Sequence, residues 1–95
     1  MARPDHLYVF TYDVSRNQVR SRLADMLLEH MTRVQGSVYE GRMTREKADR
    51  LAGRAAGLLG PDDSLRVYCL TEAGRQASFH HGGPPLGEAA DFWLL

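Results

Sequence analysis

Six consecutive residues of strong β preference, Leu7-Tyr8-Val9-Phe10-Thr11-Tyr12, stop abruptly at a carboxylate, Asp13. Apolar or aromatic side chains occupy both alternating sets, the pattern of a strand covered on two sides and therefore central in its sheet. Such a strand holds Asp13 rigidly at its carboxyl end, where open sheets of mixed α and β structure present ligand groups. Asp13 is the first candidate for a functional residue.

The rest of the chain supplies partners for that strand. Ser15 and Gln18 stand at capping-box spacing, so a helix opens there, with Val19, Leu23, Met26 and Leu27 on its apolar face and an end near His30. Thr32 to Arg42 reads as two strand segments interrupted by Gly36, which implies a bulge or tight turn between them. Thr44 caps a second helix whose buried stripe is Ala48, Leu51, Ala52, Ala55, Leu58 and Leu59, stopped by Gly60-Pro61. Ser64 to Leu70 is the next strand, with Leu65, Val67 and Cys69 alternating against Arg66 and Tyr68. Beyond it, a Gly-, Pro- and His-rich stretch carries a short strand around Ala77–His80, and the apolar Asp91–Leu95 forms a terminal strand on a sheet edge.

That order predicts an α+β, ferredoxin-like βαββαβ sandwich with an extra C-terminal strand. Residues 1–70 form the core domain, and residues 71–95 a flexible segment and strand exchanged or docked at a dimer interface. Both helices lie on one sheet face, so the other is bare: Tyr8, Phe10 and Tyr12, or their opposite set, need a partner. A homodimer packed sheet to sheet supplies one, and a domain of 95 residues has a modest core that such an interface would supplement.

Net charge is zero but unevenly spread: residues 14–60 hold nine basic against five acidic groups, and residues 61–95 two against five. Any polyanion contact must therefore come from a local patch. Of the 12 basic residues 11 are arginine, whose fork suits phosphate, although a GC-rich genome explains arginine usage as well. The single Cys69 excludes an intrachain disulfide, reads as a small buried hydrophobe, and fits a reducing, cytoplasmic setting. No apolar run is long enough to span a bilayer. His80-His81 lacks metal-ligand spacing to any other His or Cys, and neither a nucleotide-binding loop nor a Ser/Cys–His signature is present.

Three stretches together resemble the CRISPR-associated protein 2 family, the small subunit of the bacterial spacer-acquisition machinery. Tyr12-Asp13-Val14-Ser15 resembles its aspartate turn, Arg33-Val-Gln-Gly-Ser-Val-Tyr-Glu-Gly41 its second motif, and Ser64-Leu-Arg-Val-Tyr68 its last core strand. Gly36 stands where a larger residue is commoner, and the segment around His80-His81 departs from the family pattern. The resemblance implies a homodimer whose C-terminal strand crosses to the other subunit. It also implies a partner, the integrase CRISPR-associated protein 1, that is bridged while duplex DNA is held for insertion, and in some members a metal-dependent nuclease acting on RNA or DNA. A stand-alone, toxin-like endoribonuclease acting on single-stranded RNA is the alternative.

Phosphodiester hydrolysis with Mg²⁺ needs oxygen ligands and one or two protein carboxylates. One chain offers only Asp13, so a two-fold axis that pairs two copies of Asp13 would complete a catalytic metal site; the same carboxylate could equally buttress the helix start. Arg16, Arg20, Arg22, Arg33 and Arg42 are the candidate phosphate contacts, against the alternative of a solvated face. Tyr12 and Ser37 are candidates for supporting the site, with core packing for Tyr12 and backbone bonding at a bulge for Ser37 as their plainer roles.

Overall fold

The computed structural model describes residues 5–86. Its elements run β1 (His6–Asp13), α1 (Asn17–Leu28), β2 (Thr32–Gln35), β3 (Val38–Met43), α2 (Arg45–Ala56), β4 (Ser64–Leu70) and α3 (Glu72–Ala77). The four strands form one antiparallel sheet of order β2-β3-β1-β4, so β1 is interior, as its two-sided apolar pattern requires. This is the ferredoxin-like arrangement expected from the element order. The predicted strand at Asp91–Leu95 lies outside the described residues.

Register assigns each side chain to a face. Phe10 sits opposite Tyr39 on β3 and Val67 on β4, and its set (Tyr8, Phe10, Tyr12) packs beneath α1 and α2 with Leu23, Leu27, Leu51 and Ala55. The alternate set, Leu7, Val9, Thr11 and Asp13, faces away from that core. Of these only Leu7 is buried, at 2% exposure, yet it stands outside the main cluster. Leu7 pairs with Leu70, and α3 packs against β1 and β4 beside them, so part of the second face is covered from within the chain.

The second sheet motif folds as its glycines dictate. Gly36, at φ +21°, turns β2 into β3, and a bulge between Arg33 and Gln35 makes the register shift there. Gly41 is required by a close approach: a Cβ would meet Met31 Cγ at 3.1 Å, the His30 carbonyl oxygen at 3.2 Å and Met43 Cε at 3.2 Å. The second helix begins as expected, with the Lys47 amide donating to Thr44 Oγ1 at 3.2 Å and Glu46 in its first turn. The turn before β4 is closed by the Gly60 amide donating to Asp63 Oδ2 at 2.8 Å.

Three expectations are corrected. The first helix is capped by Arg16 with no side-chain bond, not by a Ser15 capping box; Arg20 holds the loop carbonyls instead. The segment around Ala77–His80 is not a strand. Thr71 caps α3 through its hydroxyl, which accepts from the Gly74 amide at 3.0 Å, and a helix forms over Glu72–Ala77. Cys69 is exposed rather than buried. It shares the helix-covered face with Tyr8 by register, but β4 is the sheet edge and α2, which packs against it, leaves a cleft beside Val67 and Cys69 that keeps both open to solvent. No helix among the described residues is long and apolar enough to cross a membrane.

Candidate functional site at the carboxyl end of β1

Asp13 ends β1 on the open face, opposite Ser64 in the β4 register, and its side chain is exposed. No described residue pairs with or donates to its carboxylate, so the helix-buttressing role has no bond behind it. The backbone leaving Asp13 is held by Arg20. Its Nη1 donates to the Val14 carbonyl at 2.7 Å and the Ser15 carbonyl at 2.8 Å, and Val14 is buried in the core. A charged guanidinium bridging two carbonyls fixes this loop more firmly than a neutral donor would.

Beneath the loop lies a polar pin inside an otherwise apolar core. The Tyr12 and Tyr39 hydroxyls stand 3.4 Å apart and their rings stack at 5.9 Å between centroids. Arg33 Nε and Nη2 donate to the Tyr39 hydroxyl at 2.8 and 2.5 Å, and the guanidinium carbon sits 5.2 Å from the ring centre. Burial raises the Tyr39 phenol above its ordinary value, the Tyr12 hydrogen bond adds to that, and Arg33 opposes it. The phenolate that Tyr39 would become raises the Arg33 value in turn. Tyr12 thus serves the site as a core aromatic, and the Ser37 carbonyl accepts from the Tyr12 amide at 3.2 Å.

The five candidate arginines divide. Arg20 and Arg33 are engaged as described, while Arg42 bonds Glu72 at 3.1 Å on the open face with a side chain only 17% exposed. Arg16 and Arg22 are exposed at the start of α1 and in its first half, and no described residue pairs with their side chains. Two features near Asp13 were not singled out from sequence. Ser64 faces Asp13 only through strand register, which no local signal reveals. The Tyr39 hydroxyl acts as the acceptor for Arg33 through the Arg33↔Tyr39 cross-strand pairing, which the turn at Gly36 foreshadows.

Among the described residues no group of three His, Cys, Asp or Glu side chains could hold a metal ion. A hard cation such as Mg²⁺ takes oxygen donors and keeps much of its water. The exposed, unengaged carboxylate of Asp13 fits that chemistry as a single oxygen ligand.

The family pattern described as CRISPR associated protein Cas2 matches residues 6–77. An endoribonuclease Cas2 of Synechocystis is 35% identical over 81 residues, covering 84% of this chain and 88% of that protein. A Thermus thermophilus endoribonuclease Cas2 is 37% identical over 87 residues, covering 88% and 93%. A crystal structure of a hypothetical protein from Thermus thermophilus superposes with a TM-score of 0.77 at 30% identity, covering 88% of this chain and 100% of that one. The fold also matches a chain of a partial Cas6-RT-Cas1–Cas2 complex, with a TM-score of 0.77 at 23% identity, 95% of this chain and 99% of that one.

Proposed function

The chain belongs to the CRISPR associated protein Cas2 family, and on that premise we propose that it is a homodimeric, cytoplasmic subunit of CRISPR adaptation. In this reading it bridges integrase subunits and holds duplex DNA. Two copies of Asp13, brought together on a dimer axis, make a divalent-metal site for phosphodiester cleavage. The observation that carries the reading is the exposed carboxylate of Asp13, unpartnered on a sheet face that its own two long helices leave open. That face carries Val9, Thr11, Arg66 and Tyr68, a mixed surface of the sort a second sheet can cover. A relative from Thermoproteus tenax, a Cas1/Cas2 fusion 40% identical over 58 residues, supports the integrase partnership.

Mg²⁺, when bound, supplies charge neutralisation and a more acidic water. The protein's own part is positional. β1 and the Arg20-tied loop fix the Asp13 carboxylate, Arg16 and Arg22 stand free to meet phosphates, and the Arg33–Tyr39–Tyr12 pin keeps β2 and β3 from shifting beneath the loop. A second reading, a stand-alone endoribonuclease, is favoured by the name borne by the Synechocystis and Thermus relatives.

The test compares wild type with Asp13→Asn on RNA and on duplex DNA, with and without Mg²⁺. Cleavage is expected to need the metal and to fall to background in the variant, while stability changes by no more than about 0.5 kcal/mol at so exposed a position. Equal rates would remove Asp13 from catalysis. RNA cleavage without the integrase, together with no co-purification of the integrase, would favour the second reading.

A further inference from the structure

The sequence places another set of cations where the structure gives them a common surface. Lys47, Arg50 and Arg54 follow at i, i+3 and i+7 on α2, so they share one helix face. With His30, which lies just past α1, and Leu51 they line a shallow groove of about 140 Å³. None of these four charged or titratable side chains has an ion-pair partner among the described residues. The neighbouring cation of the same helix, Arg45, is by contrast tied to Asp49 at 2.9 Å.

The helix dipole accounts for Arg54, which stands in the last turn of α2, but not for the cluster as a whole. Like charges at these spacings repel along a helix, and Lys47 sits in the first turn, where the helix dipole disfavours a cation. No Phe, Tyr or Trp lines the groove and its one ring is the His30 imidazole at the margin, so the lining is built for charge more than for base stacking. Two arginine forks and one lysine suit phosphate oxygens. The stripe climbs roughly 10 Å along the helix at 1.5 Å per residue, long enough to reach more than one phosphate of a nucleic-acid backbone.

We propose that this groove between the end of α1 and α2 is a phosphate-backbone site for nucleic acid, distinct from Asp13 and on the helix side of the sheet. Lys47, Arg50 and Arg54 make the contacts and His30 flanks them. The inference rests on the reading that the chain handles nucleic acid, and adds a second surface to it.

The experiment follows binding of a labelled duplex and a labelled single strand by anisotropy across a salt series. It uses wild type, the triple variant Lys47→Gln/Arg50→Gln/Arg54→Gln and, as a control for the phosphate contacts assigned above to Arg16 and Arg22, the variant Arg16→Gln/Arg22→Gln, whose slope is expected to flatten as well. For the duplex, the slope of log affinity against log salt is expected to flatten by about 0.9 for each phosphate no longer neutralised, or about 2.7 for the triple variant. Affinity at low salt should fall at least about tenfold. In wild type the Arg50 and Arg54 Nε–Hε resonances are expected to shift on duplex addition, a reading that does not depend on the variant folding. An unchanged slope in the folded variant, or unshifted Arg50 and Arg54 resonances, overturns the proposal. If only the control flattens, the groove is dropped and the nucleic-acid reading stands. If wild type binds neither nucleic acid, both fall.

Discussion

The two faces of the sheet are held by different physics. Under α1 and α2, Tyr8, Phe10, Tyr12 and Tyr39 interdigitate with Leu23, Leu27 and Leu51, and no charged group is buried there among the described residues. On the other face one residue, Leu7, is sealed, and the cover is a six-residue helix with no buried side chain of its own. That helix is tied by Glu72, which bonds Arg75 at 2.7 Å and Arg42 at 3.1 Å. A helix so short has little stability of its own, and exposed ion pairs contribute little. Burial of apolar area fixes the first face, while charge arranges the second and leaves it open to partners. It follows that Asp13 stands on the side of the molecule least committed to the fold.

This contrast sets the scale of substitutions. Phe10→Ala, at a fully buried position, should cost about 3–5 kcal/mol, whereas Val9→Ala, its neighbour on the open face, should cost well under half as much. Urea unfolding of the purified pair measures both, and equal destabilisation would mean that the open face is as tightly packed as the other. Gly41→Ala comes next. A Cβ within 3.1–3.2 Å of Met31, His30 and Met43 overpacks the helix-covered face and should cost about 1–3 kcal/mol. At Gly53, on the outer side of α2, nothing lies within 4 Å and alanine should stabilise by up to about 1 kcal/mol.

The smallest effect concerns acid. Hydrogen bonding to Arg75 first, and to Arg42 with it, holds the Glu72 carboxyl below its ordinary value against a smaller opposing effect of desolvation. A folded-state value below the unfolded one means that the contribution is fully present above the ordinary glutamate range, about pH 4.3. It is then lost as pH falls through the depressed folded value. Protection of the α3 amides, corrected for the slower intrinsic exchange in acid, should fall in that window while the amides of β1 and β3 keep theirs. In Glu72→Gln the step should vanish, and a step that persists would assign it to another carboxylate.

Where the sequence was legible, the signal was local. Thr44 with Glu46, the interruption at Gly36, and the apolar run of β1 each encode an element in a few adjacent residues, and each element forms, although the second face of β1 is sealed only at Leu7 among the described residues. The first helix shows the limit of that logic. Ser15 has the right spacing for a cap, but Arg20, five residues on, claims the loop carbonyls and the helix starts after Arg16. Thr71-Glu72 carries a legible capping signal too, masked by the Gly and Pro residues that follow. The α2 cations were not singled out from sequence although they stand at helical spacing, because only the fold brings them against His30 in one groove.

Chain order and periodicity alone determined that this is a split βαβ sheet with β1 at its centre and Asp13 at that strand's end, because hydrophobic alternation and capping act over a handful of bonds. Only the tertiary structure decided which arginines are engaged, that Cys69 is open at an edge, and that Ser64 faces Asp13. Those outcomes depend on strand register and on how far a helix reaches across a sheet. Such distances are set by packing between residues remote in the chain, and no local pattern carries them.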